Sequence, residues 1–180
     1  KEVTRLDPLR AGAYINLGAV YNRLESGFIG FDFHPGSIED ARRHAREHGT
    51  DNVRFEVAPA KTYPGKDYDL VTFFDCLHDM GDPVAAVRYA GEVLAPGGTV
   101  MLVEPFAHDQ VEHNLSLVGR LYYAASTTIC CAHAISEGGS LVLGAQAGEA
   151  RLADVFRKSG FTHFRKATET PFNLILEARR

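Results

Sequence analysis

Apolar and polar positions recur with two different periods along this chain, and the switches between them mark its elements. Leu9, Ala13, Leu17, Val20, Tyr21 and Leu24 follow helical spacing behind Asp7-Pro8, an N-cap with proline in the first helical position, and Gly27 closes that stretch. The apolar run Phe28-Ile29-Gly30-Phe31-Asp32-Phe33 predicts a short buried strand. Ser37-Ile38-Glu39-Asp40 has the form of a capping box and opens a helix to about Gly49. Val53 to Val57 alternates like a half-buried strand, and Leu70 to Phe74, entered by Tyr68-Asp69, is a stronger one. Asp82-Pro83 repeats the N-cap and proline signature for a helix ending near Leu94, and the turn Pro96-Gly97-Gly98 leads into a buried strand, Thr99 to Glu104. This order of strands and helices predicts α/β layering with parallel strands.

Beyond it, Val111 to Ala134 is helical in pattern and rich in small and aromatic residues. A helix from Gly148 to Ser159 stops at Gly160, and two closing strands, Phe164 to Thr168 and Phe172 to Ala178, meet at Thr170-Pro171. Composition narrows the picture further. With 180 residues, 45% hydrophobic and 23% charged, the chain suits one domain with a single core. Its net charge of −4, with Lys and Arg spread out, offers no nucleic-acid face. No apolar run reaches bilayer length and no signal peptide opens the chain, so neither a membrane nor secretion is expected. An odd cysteine count (Cys76 and the adjacent Cys130 and Cys131) argues against a disulfide framework and suits a cytoplasmic protein.

Four stretches, taken in order, resemble class I S-adenosylmethionine-dependent methyltransferases. They are the strand Gly30-Phe31-Asp32-Phe33 ending in an acid, the strand Tyr68 to Asp75, the turn Val93-Leu94-Ala95-Pro96-Gly97-Gly98-Thr99, and the closing helix with its strand pair. The resemblance covers Phe28 to the C-terminus. It implies a Rossmann-like sheet of seven strands, parallel except for an antiparallel last strand, flanked by helices, with a helical cap insertion at about residues 108–135. It also implies S-adenosylmethionine as cofactor, held by Asp32, Phe33, Ala60, Phe74 and Asp75 at the carboxyl ends of the strands. At the end of its strand, the Asp32 carboxylate can accept both ribose hydroxyls; the other reading is a solvated acid before a helix. Phe33 packs beside the adenosine or in the core.

The chain departs from the family in two places. No glycine-rich loop of the form G-x-G-x-G precedes Asp32; Ile15-Asn16-Leu17-Gly18-Ala19-Val20 imitates one inside the opening helical pattern. A parallel crossover needs a dozen or more residues, so the expectation is that the central strand, the glycine turn and a crossover helix belong to a segment missing before Gly27. Residues 1–26 then form an N-terminal helical extension that covers the pocket or mediates homodimerisation, and residues 27–180 the methyltransferase domain. At Ala58-Pro59-Ala60, where many relatives have an acid for the adenine amino group, only the backbone of Ala60 remains available.

Cys76-Leu77-His78-Asp79-Met80-Gly81-Asp82 is similar to the His-Asp-Trp-x-Asp stretch of small-molecule O-methyltransferases, with Met80 in place of Trp. The resemblance makes His78 the general base and Glu104, at the next strand end, the acid that orients it. Histidine's ordinary pKa near 6.5 suits a base at neutral pH, and a carboxylate can fix its tautomer. The other readings are a packing or capping histidine and a strand-end acid bonded to local amides. Asp75 and Asp79 shape the loop or touch the methionine end of the cofactor. No pair among His108, His113, His133, Cys130 and Cys131 has the spacing of a structural zinc motif, so no metal is expected. The function expected is methyl transfer to a small-molecule acceptor, at a hydroxyl. The rivals are a catalytically degenerate methyltransferase-like domain with a regulatory role, favoured by the absent glycine loop, and a nicotinamide-dependent oxidoreductase, disfavoured by the closing helix and strand pair.

Overall fold

A computed structural model describes residues 18–22 and 27–180. Among the described residues a seven-stranded sheet runs in the order β3-β2-β1-β4-β5-β7-β6. Its strands are β1 (Gly18–Asn22), β2 (Gly27–Asp32), β3 (Val53–Val57), β4 (Tyr68–Phe74), β5 (Leu94–Pro105), β6 (His163–Glu169) and β7 (Asn173–Arg179). The helices are α1 (Pro35–Glu47), α2 (Pro83–Val93), α3 (Leu117–Ala125), α4 (Cys131–Ser136) and α5 (Gly148–Lys158). None of the described helices is long and apolar enough to cross a membrane.

The centre of the sheet corrects the helix expected through Val20 and Tyr21. Gly18–Asn22 is a strand, antiparallel to both neighbours: Gly18 pairs with Phe31 and Asn22 with Gly27, while Val20 and Tyr21 face Val71 and Leu70. Local helical spacing yields here to the ladder. β2 and β4 would otherwise face each other with unpaired amides and carbonyls, and a buried unpaired backbone group costs about as much as a lost hydrogen bond. A parallel central strand would need a crossover segment; an antiparallel strand needs only a short connection, and β1 ends at Asn22 where β2 begins at Gly27. The helical pattern at Leu9 to Leu17, with its Asp7-Pro8 cap, and Leu24 lie outside the described residues.

Elsewhere β2 and β3 run parallel, as do β4 and β5, and β7 is antiparallel to β5 and β6. Two boundaries move for local reasons. α1 is capped by the His34 ring, which accepts the Ser37 amide at 3.2 Å with Pro35 in the first turn, so Ser37 lies inside the helix and not at its cap. β5 begins at Leu94, which pairs with Tyr68, while Thr99 pairs with Leu70; the Pro96-Gly97-Gly98 turn bulges out between these pairs. Gly97 sits at φ 78, a conformation that disfavours any side chain. Asp82 does cap α2 as expected, accepting the Ala85 amide at 3.0 Å. On the packed face, Ala86, Val87 and Ala90 of α2 and Leu152, Val155 and Phe156 of α5 are buried against the sheet, and the Ser159 hydroxyl joins the two helices by donating to the Val84 carbonyl at 2.9 Å.

The helical stretch after β5 is not one regular helix. A 3-10 turn, Val111–Asn114, precedes α3, and a π turn, Ser126–Cys130, joins α3 to α4. Thr127 and Thr128 donate their hydroxyls back to the Tyr123 and Ala124 carbonyls at 2.8 Å, a competition that loosens the helical ladder. The wide turn directs Cys130 inward. A central β1 predicts that the Val20 and Tyr21 amides exchange with solvent as slowly as those of β4. Hydrogen-exchange mass spectrometry checks this; exchange at the rate of an exposed segment would contradict the strand.

Candidate active site

The carboxyl ends of β2, β3, β4 and β5 come to one edge of the sheet, the edge at which open α/β sheets bind ligands. A cavity of about 640 Å³ opens there, within the usual range for small-molecule sites. Asp32 lines it from the end of β2. Its Oδ1 accepts the His34 amide at 2.7 Å, which holds the carboxylate in place at the mouth of α1. Burial raises the Asp32 pKa, and the His34 amide and ring charge oppose the rise. Phe33 projects beside it, 49% exposed, with its ring 6.5 Å from that of His133 in a stacked arrangement. Ala58, Pro59, Ala60 and Lys61 form the β3 side of the wall, and Cys76, Asp79, Gly81 and Asp82 the β4 side.

Phe74 and Asp75 are not in that wall. Phe74 is exposed, and Asp75 bends away at φ 52 while its amide still donates to the Val103 carbonyl at 2.7 Å. The Asp75 Oδ1 is buried without a hydrogen-bond partner. Burial raises its pKa; the His78 charge opposes this, and Glu104 and Asp79 add to it.

Behind the wall lies a buried polar cluster. β4 ends and the chain makes a tight 3-10 turn, Leu77–Asp79, against α4 and Cys130 of the π turn, which with α3 form a cap. Glu104, 1% exposed, receives both groups that this turn presents: the Leu77 amide donates to Oε1 at 2.9 Å and His78 Nδ1 lies 2.5 Å from Oε2. Thus the structure brings His78 and Glu104 together, as the sequence suggested, but as a buried pair one layer behind the cavity. Burial opposes a charged imidazole; the Glu104 charge, hydrogen bonds with Cys130 and Glu104, and the Asp79 charge outweigh it and push the His78 pKa up to about 11. The same carboxylates favour the protonated ring.

The far nitrogen of that ring faces Asp79 and the cap. Nε2 stands 3.3 Å from Asp79 Oδ1, without the geometry of a hydrogen bond between them. Cys130, from the π turn, completes the group. A loop from α4 to α5 fastens the arrangement: the Gly144 amide donates to the His78 carbonyl at 3.2 Å and the Ala145 amide to the Ser126 hydroxyl at 3.1 Å. At φ 69, Gly144 has no room for a side chain, since a Cβ would stand 2.3 Å from the Ser126 hydroxyl oxygen.

A sequence profile described as a methyltransferase domain matches residues 12–161. The chain belongs to the class I methyltransferase family. The chain is similar to the aklanonic acid methyltransferase DauC of Streptomyces sp. (strain C5), 33% identical over 78 residues that make up 42% of this chain and 36% of that protein. It is also similar to the ubiquinone biosynthesis O-methyltransferase of Dinoroseobacter shibae, 28% identical over 101 residues, 56% of this chain and 40% of that protein. Among solved structures, the apo form of the S-adenosylmethionine-dependent methyltransferase SibL matches with a TM-score of 0.66 at 22% identity, over 84% of this chain and 42% of that one. That likeness shows the fold. The matched region is thus well under half the length of these relatives.

Four residues of the wall and the cluster are not among the site residues expected from sequence: Asp79, read as shaping the loop or touching the methionine end of the cofactor, Cys130 and His133, read as packed or solvated, and Glu137, for which there is no reading. His133 and Glu137 line the cavity from the end of α4, and Glu137 Oε2 accepts the Gly81 amide at 2.8 Å. Their four-residue spacing on a helix was the available signal. Cys130 carried none, because only the π turn directs it inward. Removing Glu104 should expose how much depends on it. Glu104→Ala leaves the buried Leu77 amide and His78 Nδ1 without their acceptor and should cost about 1–3 kcal/mol for each in urea denaturation. Glu104→Gln, which still accepts one hydrogen bond, should cost less and should shift the His78 titration to lower pH by NMR.

Proposed function

We propose that this protein catalyses S-adenosylmethionine-dependent methyl transfer to a small-molecule acceptor, with a hydroxyl as the accepting group. The observation that carries this reading is the cavity at the carboxyl ends of β2 to β4, with the Asp32 carboxylate fixed in its wall. A cofactor with a ribose fits such a wall. Asp32 would accept ribose hydroxyls, each bond to a charged acceptor being worth about 1.5–3 kcal/mol. Phe33 would lie along the adenosine, and the backbone of Ala60 would meet the base. When bound, the cofactor supplies a methyl group on a positively charged sulfonium.

The residues of this chain then have to hold an acceptor in line with that methyl and take its proton. His78 is the base in this reading, and Glu104 orients it by occupying Nδ1, which leaves Nε2 for the acceptor. The ring must first lose a proton, and a positive sulfonium charge in the neighbouring cavity favours its neutral form. Tyr122 and the rest of α3, on the cap above Asp75 and His78, form the side from which the acceptor would approach. The O-methyltransferase relative from Dinoroseobacter shibae supports a hydroxyl acceptor.

A second reading, a catalytically degenerate domain that keeps a binding or regulatory role, has one specific support. β1 is antiparallel, so its carboxyl end at Asn22 lies at the edge opposite Asp32, and no glycine-rich turn follows it at the cavity. The cavity then has less backbone to offer the methionine end of the cofactor. Calorimetry with S-adenosylhomocysteine separates the outcomes. Binding that Asp32→Ala weakens about tenfold or more supports the cofactor site; absence of binding by the unaltered protein would end both readings. If turnover of a phenol or other acceptor is found, His78→Ala should lower it about a hundredfold or more with cofactor affinity unchanged. Cofactor binding with no turnover of any acceptor would favour the degenerate domain.

A further inference from the structure

The cluster at the far side of the His78 ring has the composition and spacing of a metal site, although nothing in the sequence spacing suggested one. Three donors of different chemistry, a ring nitrogen of His78, a carboxylate oxygen of Asp79 and Cys130 Sγ, lie within 4.8 Å of one another, all three residues are buried, and the closest approach is Nε2 to Oδ1 at 3.3 Å. They come from two distant parts of the chain, the turn after β4 and the π turn of the cap.

Three observations separate this cluster from ordinary packing. Asp79, 7% exposed, has its Oδ1 buried with no well-formed hydrogen bond, its neighbours being only the His78 ring and the Cys130 thiol. That oxygen lies 3.3 Å from Nε2 without bonding to it. Two ligands about 2.0 Å from a tetrahedral ion stand about 3.3 Å apart, so the pair is spaced as co-ligands. The other ring nitrogen is occupied by Glu104 at 2.5 Å, the carboxylate–histidine arrangement that fixes the tautomer and raises the basicity of a metal-bound imidazole. The local charge points the same way: Asp75, Asp79 and Glu104 surround a single imidazole.

We propose that His78 Nε2, Asp79 Oδ1 and Cys130 Sγ bind a divalent transition-metal ion of the zinc type, which latches the cap onto the turn after β4. The mixed nitrogen, oxygen and sulfur donor set suits Zn²⁺ or Co²⁺ and not Mg²⁺ or Ca²⁺, which take oxygen ligands. Binding takes no oxidant or reductant. The Nε2 proton and the Cys130 thiol proton leave to solvent, and the imidazole lone pair, the thiolate and the carboxylate coordinate the ion. The ion occupies the same Nε2 that the proposed base would use, so the loaded protein holds its cap closed and cannot accept a proton there. Metal loading and methyl transfer are therefore alternative states of one cluster.

The site is tested without any acceptor or cofactor. The full chain, stripped with a chelator, is titrated with Co²⁺ in an absorption cell and with Zn²⁺ by calorimetry. One ion per chain is expected, with a thiolate-to-cobalt charge-transfer band, tetrahedral visible bands, and a rise in melting temperature on Zn²⁺ addition. Cys130→Ser should abolish the charge-transfer band, and Cys131→Ser should leave it intact. Asp79→Asn, nearly isosteric, should weaken Zn²⁺ at least tenfold, and Glu104→Gln about 10–100-fold through its hold on the ring. Circular dichroism confirms that each variant is folded; should Cys130→Ser not fold, the Asp79→Asn and Cys131→Ser pair decides. A cobalt spectrum with no thiolate band, or equal Zn²⁺ affinity in wild type and Asp79→Asn, would overturn the proposal whatever the outcome for cofactor binding.

Discussion

The Glu104 carboxylate is the constraint on which the functional end of this protein depends. A charged group with 1% exposure at the end of a sheet strand is costly, and it is retained because both of its oxygens are occupied. One oxygen fixes the backbone of the 3-10 turn through Leu77, and the other fixes the ring of the next residue. A single side chain of β5 thus sets where β4 stops, how the chain turns and which nitrogen of His78 faces outward. The cap then closes over that ring through the Gly144 amide, and Asp79 and Cys130 come to rest against it. Because the pair is buried, its strength is not screened as a surface ion pair would be.

The cavity depends on a separate constraint, the continuity of the sheet across its centre. β2 and β4 each need a partner between them, and β1 satisfies both with five residues and no crossover helix. The gain is a complete ladder. The cost falls at the ligand edge, where a parallel strand would have delivered a glycine-rich turn and the start of a helix, with amides directed at the cofactor. Here the same edge is furnished by Asp32, the β3 loop at Ala58-Pro59-Ala60 and the end of α4. The position of His133 and Glu137 in that wall makes the end of α4 part of the cavity.

Much of this was legible in the residues, and the exceptions have physical causes. The boundaries of β3, the Asp82-Pro83 start of α2 and the closing strand pair follow from alternation, capping and turn residues, which act locally. Asp32, Phe33 and Ala60 line the cavity because strand ends in this sheet converge there. Phase errors arose where a distant partner decided the outcome. Val20 and Tyr21 carry a helical period but form a strand, because two sheet neighbours compete for their backbone groups. Phe74 and Asp75 close the strand that leads to the wall but do not line the cavity, and the backbone turns left-handed at Asp75. Cys130 could not have been read at all. Its inward direction comes from the extra residue of a π turn, and threonine back-bonding in an exposed helix leaves no periodic trace.

The two constraints meet at the wall formed by Cys76 and Asp79, and this shapes what the His78 cluster can do. Asp79 lines the cavity while its Oδ1 belongs to the buried cluster, so a charge in one compartment is felt in the other. A sulfonium bound in the cavity, as proposed above, would meet Asp79 from the cavity side. It draws on the same carboxylate and opposes the positive ring, and both effects weaken the hold on the His78 proton. A divalent ion acts on the ring from the other direction, displacing that proton and claiming the lone pair. Since like charges on either side of one carboxylate disfavour each other, a bound sulfonium and a bound metal ion should each weaken the other's binding. The coupling is reciprocal by thermodynamic necessity, and it needs no motion of the sheet.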